Sequence, residues 1–254
     1  MLTTVKGLVL REKAYGENDK ILDILTDSLG LITVSAKGVK KANAKNAGVS
    51  QMFSYAIYCL SESKGRYILN SAEPIRIFYD IRLDVEKFAL ASYFSELLLY
   101  TSTFDQQSGE VLRLILNTLH FLEDDKHDNS LLKSIFELRL MSEIGHVPNL
   151  IGCCECLSYS EPQMQFDLKG GKIYCERCCG ARDLRTFEVI DDTLLHAIRY
   201  IALTDMERLF SFRLSSDYLE MLMNITERYV RLQLDKRFAT LDFYKTITNG
   251  NSYE

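Results

Sequence analysis

A chain of 254 residues, 47% hydrophobic and 26% charged, can bury one large core or two modest ones and is no disordered or fibrous polymer. Its 3 prolines and 13 glycines leave little room for long linkers, and the apolar stretch around Leu97 to Tyr100 is broken by Ser95 and Glu96, so no membrane span is expected. The net charge of -5 is uneven: residues 1–82 carry 12 lysines and arginines against 8 acids, and the remainder carries 18 against 27. A basic front end on an acidic body points to a polyanion-binding module. Met1 to Lys6 shows no signal-peptide core, so the chain is expected to be cytoplasmic. In that compartment clustered cysteines are metal ligands more often than disulfides.

In chain order, the first elements read as strands. Thr4 to Arg11 leads to a turn at Tyr15 to Asn18, and Lys20–Thr26 and Leu31–Ala36 flank the hairpin signature Asp27-Ser-Leu-Gly30. Met52–Leu60 and Arg66–Ser71 follow, joined across Glu62 to Gly65. Five short strands suit a small closed barrel such as an OB-fold, although an SH3-like barrel fits the pattern nearly as well. After Pro74 the period becomes helical over Asp84–Thr101, Glu110–Leu122 with Ser108 as N-cap, Ser130–Ile144, Asp192–Ala202 and Ser216–Arg237. The predicted architecture is α+β: a barrel domain over 1–82, then a helical domain over 83–254 with a cysteine module inserted at 150–182.

That module holds two knuckles, Cys153-x-x-Cys156 and Cys175-x-x-Cys178, separated by 18 residues. The spacing fits a structural zinc site in which two tight turns supply four thiolates to one Zn2+, with Gly170-Gly171 reversing the chain between them. Cys154 and Cys179 lack partners at the knuckle spacing and read as small buried neighbours, and His146 could at most support the site from outside. Four thiolates close the coordination sphere, no H-E-x-x-H is present, and no nucleotide-binding or nucleophile-elbow motif occurs elsewhere, so no enzyme is expected.

The other informative stretch, Ser35 to Gly48, carries Lys37, Lys40, Lys41 and Lys45 with no acid among them. Lysines on a barrel loop neutralise phosphates without reading sequence. Arg11 and Lys13 extend the surface, and Tyr15, Phe53, Tyr55 and Tyr58 are candidates for base stacking or for core.

Val5-x-Gly-x-Val-Leu-Arg11, Tyr15-Gly-Glu-Asn-Asp-Lys20, Asp27-Ser-Leu-Gly-Leu31 and Ala36-Lys-Gly-Val-Lys-Lys41 resemble the bacterial recombination mediator family RecO. So does the order of barrel, helices and paired cysteine knuckles, and the resemblance spans the chain. It implies a nonenzymatic repair protein, cytoplasmic and nucleoid-associated, that binds single- and double-stranded DNA. Such a protein anneals strands coated by single-strand-binding protein and, with RecR, helps load RecA. Arg11, Lys37, Lys40, Lys41 and Lys45 match the family's basic surface, and Cys153, Cys156, Cys175 and Cys178 match its zinc knuckles. The acidic, apolar tail of the single-strand-binding protein is received by the helical domain, where Arg228 and Arg231 stand one turn apart beside Leu222, Ile225 and Leu232. Two departures stand out: the basic loop is lysine-only, and the whole chain is acidic. The competing readings are a zinc-stabilised protein-interaction scaffold without nucleic acid, and a zinc hydrolase, which would need an open coordination position.

Overall fold

The computed structural model describes residues 2–63, 65–102, 109–159, 161–180 and 184–250. Strands β1 (Leu2–Tyr15), β2 (Asp19–Thr26), β3 (Leu31–Ala36), β4 (Ser54–Ser63) and β5 (Arg66–Ile77) form a closed barrel in the order β1-β2-β3-β5-β4. Side-chain alternation sends Val5, Val9, Leu22, Ile24, Val34, Tyr58 and Leu60 into the barrel core. β1 departs from that alternation. It is buried continuously from Gly7 to Leu10 because α1 covers its outer face, and a bulge between Val9 and Arg11 then resets the register. One seam is short: β3 and β5 run parallel and pair only at Val34 with Tyr67 and Ser35 with Ile68.

Among the described residues seven helices occur: α1 (Val85–Thr101), α2 (Gly109–Glu123), α3 (Asn129–Glu143), α4 (Glu176–Cys179), α5 (Asp192–Leu203), α6 (Ser216–Leu234) and α7 (Ala239–Gly250). Asp84, Asp128 and Asp191 cap α1, α3 and α5, each accepting a backbone N–H of the first turn. Ser108, the N-cap expected for α2, lies outside the described residues. The predicted last helix, Ser216–Arg237, is shorter, and a further helix that the sequence reading did not include lies beyond it. Asp235 takes a left-handed backbone (φ 48°) that stops α6 before Arg237, and α7 follows. No described helix is long and apolar enough to cross a membrane.

The chain forms two compact units. The first, residues 1–125 with 238–254, joins the barrel to α1, α2 and α7. Phe53 lies edge-on to Phe88 of α1, and Phe238 packs edge-on against Tyr93 and Tyr100. The second unit, residues 126–237, holds α3, α4, α5, α6 and a three-stranded sheet, β7-β6-β8, of β6 (Gln163–Asp167), β7 (Lys172–Cys175) and β8 (Phe187–Asp191). The β6–β7 hairpin turns at the predicted Gly170-Gly171, whereas β8 was not legible as a strand. Between α3 and α6 the buried Lys133 pairs with Glu137 at 2.8 Å, and the Thr226 hydroxyl donates to Glu137 at 2.7 Å. Both of these buried charges thereby have a partner.

Candidate nucleic-acid interface and metal centre

The local chain path explains why the cysteines meet. Cys175 ends β7 and serves as the N-cap residue of α4, so Cys178 returns to the same side one turn later. At the other knuckle Leu157 N–H donates to the Cys153 carbonyl and Cys153 N–H to the Ser158 carbonyl, both at 2.8 Å. Leu157 takes φ 63°, and a Cβ on Gly152 would stand 2.9 Å from the Ser158 carbonyl oxygen, so this turn needs glycine there. Cys154 N–H then donates to Ile173 of β7 at 2.9 Å, which pins one knuckle to the other.

The sulfurs of Cys153, Cys156, Cys175 and Cys178 lie within 4.8 Å of one another. The Cys156–Cys175 separation is 3.7 Å. A tetrahedron of four metal–sulfur bonds near 2.3 Å has edges of about 3.8 Å, whereas a disulfide would need about 2.05 Å. Burial pushes the Cys153 thiol up, but backbone N–H groups of Cys156, Cys175 and Glu155 and the Cys156 side chain outweigh it and hold it at about 6. Cys178 is pushed up to about 12 by the Cys175 and Cys156 sulfurs, with burial adding to it. One sulfur is thus ready to ionise while another resists sharing the space with a second anion, and a divalent cation relieves that conflict. The donor set fits a soft, tetrahedral metal. Among the described residues the group contains cysteines alone; His146 instead places its Nδ1 3.1 Å from Gln233 Oε1.

On the barrel, the segment after β3 winds through turns to a short 3-10 helix at Gly48–Ser50. Gly38 N–H donates to the Asp19 carboxylate at 2.8 Å and Lys40 N–H to the Asn18 carbonyl at 3.0 Å, which holds the loop beside the β1–β2 turn. Val39 and Val49 sink into the core while Lys37, Lys40, Lys41 and Lys45 stay exposed. None of the four side chains has an ion pair among the described residues. Cross-strand register sets Tyr15 opposite Asp19 and Lys20 opposite Ala36, so Tyr15, 64% exposed, shares the barrel end with Lys37. Lys13 is exposed nearby on β1.

Other candidates stand differently. Arg11 is held by Asp23, directly across on β2, at 2.6 Å, and Asp23 also accepts from Thr33. Much of its charge is therefore already matched. Phe53 and Tyr58 are fully buried and Tyr55 is half-buried. That leaves Tyr15 as the exposed ring of the four. Arg228 pairs with Glu188 of β8 and donates to the Arg185 carbonyl at 3.0 Å, while Arg231 is exposed on α6.

The recombination protein O N-terminal family model matches residues 1–78, and the recombination protein O C-terminal model matches residues 82–242. The chain belongs to the RecO family. It is 30% identical to the DNA repair protein RecO of Acetivibrio thermocellus over 95% of both chains. It is likewise 30% identical to that of Alkaliphilus metalliredigens over 97% of this chain and 100% of the relative, and 29% identical to that of Caldicellulosiruptor saccharolyticus. RecO membership gives the chain a role in DNA repair and recombination. In this RecO-family chain sequence reasoning passed over Arg199, which binds carbonyls on both sides of the first knuckle: Leu150 and Tyr159 at 2.7 Å and Ile151 at 3.2 Å. A charged residue within an amphipathic helix reads as solvent-facing, and only the unbroken apolar run around it hinted otherwise.

Proposed function

We propose that the chain is a nonenzymatic recombination mediator that anneals complementary DNA strands. It holds single- and double-stranded DNA on the barrel through Lys13, Lys37, Lys40, Lys41 and Lys45, with Arg11 a lesser contributor. The observation that carries this reading is the acid-free, exposed lysine loop fixed beside Tyr15. Lysines neutralise phosphates and screen repulsion between two strands while the base edges stay free to pair. Pairing supplies the free energy, so no nucleotide hydrolysis is needed.

The binding part is the barrel over 1–82. The helical part over 83–254, with its insert at 150–182, receives the acidic tail of the single-strand-binding protein, and with RecR the chain helps load RecA. Docking on a protein that coats single strands raises the local concentration of the annealer where it is needed. In the family's setting the chain works at the nucleoid. Cys153, Cys156, Cys175 and Cys178 would hold one Zn2+, which supplies cross-linking and no reaction chemistry.

The test is annealing, without ATP, of complementary oligonucleotides precoated with the cognate single-strand-binding protein. The expected result is a rate well above the protein-free one, lost at high salt and lost when Lys37, Lys40, Lys41 and Lys45 become alanine. No acceleration by folded protein would leave only a metal-stabilised interaction scaffold.

A further inference from the structure

The lysine loop carries its charge differently from the rest of the barrel. Of the four arginines in residues 1–82, Arg11 pairs with Asp23 at 2.6 Å and Arg76 with Glu123 at 2.7 Å. Arg82 donates to the Gln51 side chain and the Met52 carbonyl, and Arg66 stands outside the loop, on β5. Lys20 is likewise held, by Glu12. Between Ser35 and Gly48 the pattern inverts: every cation is a lysine, and all four are exposed with no ion pair among the described residues. The Asp19 carboxylate reaches this loop but accepts the Gly38 N–H at 2.8 Å, not an ammonium. Lys41 N–H donates to the Gly38 carbonyl at 3.2 Å and Ala44 N–H to the Lys41 carbonyl at 3.1 Å, so successive turns fold the segment back on itself. Gly38 takes φ 67°, and a Cβ there would meet Cδ and Cε of Lys41 at 3.9 Å, which lays the Lys41 stem over the start of the loop.

The two kinds of cation differ in chemistry. A guanidinium stays protonated, whereas a lysine amine accepts an acyl group and loses its charge in doing so. We propose that Lys37, Lys40, Lys41 and Lys45 form a modification site for small acyl phosphates, and that acylation there releases DNA. The inference rests on the DNA-binding role proposed above and adds its regulation. An acyl phosphate carries the kind of anion that the loop neutralises on DNA, so unpaired ammonium groups concentrate it beside the neighbours that react. In the step itself the lone pair of a neutral Nζ attacks the acyl carbon and the N–C bond forms. The bond from that carbon to the phosphate oxygen breaks, phosphate leaves with the electron pair, and the amine proton passes to water. Nothing is oxidised or reduced. Each acylation removes one positive charge; residues 1–82 hold 12 cations against 8 acids, so four acylations cancel the whole surplus. The arginines that fasten the barrel keep their charge, so the surface is silenced while the fold stands.

The test exposes the full metal-loaded chain to acetyl phosphate and follows each lysine by mass spectrometry. Lys37, Lys40, Lys41 and Lys45 should react at least about threefold faster than the exposed Lys6 of β1 and Lys172 of β7. Added salt should erase that lead. The salt dependence of single-stranded DNA binding should be flatter by about 3 in the treated chain than in its untreated form, with the melting temperature unchanged. A variant carrying Lys37→Arg, Lys40→Arg, Lys41→Arg and Lys45→Arg, treated identically, should flatten by well under 1 relative to its own untreated form. Loop lysines that react no faster than Lys6 and Lys172 would overturn the modification site and leave the DNA-binding role standing. An equal loss in the arginine variant would trace the effect to other lysines and overturn the site as well. Fast acylation of the loop with an unchanged slope would overturn the DNA surface itself, and this regulation with it.

Discussion

Tyr58 secures the far end of the lysine loop from inside the barrel. Its hydroxyl donates to the Val49 carbonyl at 2.9 Å in a fully buried setting. Tyr58→Phe strands that carbonyl and is expected to cost about 1–2 kcal/mol in urea unfolding. Burial raises the Tyr58 pKa above its ordinary 10.0, and the same holds for Tyr229. The neutral phenol is thus favoured by folding, so its contribution is complete below pH 10 and falls as pH rises beyond it. Alkaline denaturation should begin above about pH 10 and become shallower in the double variant Tyr58→Phe, Tyr229→Phe; an unchanged profile would refute that assignment. Gly7 is a second fixed point, since a Cβ there would sit 2.6 Å from Ile24 Cγ2 and 3.1 Å from the Leu25 carbonyl oxygen. Gly7→Ala should destabilise by about 1–3 kcal/mol, measured the same way. At this scale the sequence was least explicit. Phe53 and Tyr58 could equally have stacked bases, because an aromatic ring has the same composition signal inside a barrel as on its rim.

The lysine loop and the knuckle act as elements. Each lysine that neutralises a phosphate on single-stranded DNA steepens the salt dependence by about 0.7 log units per decade. Replacing all four loop lysines should therefore flatten the slope by about 3, whereas Arg11→Ala, already matched by Asp23, should change it by well under 1. An unchanged slope in the four-lysine variant would place the DNA elsewhere. Cys175→Ser removes one of the four sulfurs proposed to hold the metal while leaving a residue that can still cap α4. Loss of a structural metal worth on the order of 10 kcal/mol should collapse the calorimetric transition of the second unit and spare that of the first. The paired knuckles and the acid-free loop were legible because both depend on residue type at fixed spacing. β8 and the buried place of Arg199 were not, since five residues carry too little period to announce a strand and burial depends on what packs around a residue.

At the scale of the molecule, chain order was legible but ownership was not. The barrel strands, the helical turnover after Pro74 and the cysteine insert fell in the expected sequence. An amphipathic helix, however, declares that it has an apolar face without saying whose core it covers. α7 follows the second unit along the chain yet packs on α1 in the first, with Phe238, Leu241 and Tyr244 buried there. Truncation after Arg237 should accordingly lower the melting temperature of the barrel-containing unit and leave metal binding by the knuckle intact. The order of synthesis follows from the same arrangement. Residues 126–237 are contiguous and need no later part of the chain to complete their fold, but the first unit, although it is made first, must wait for α7. The unit proposed above to bind DNA is therefore finished last.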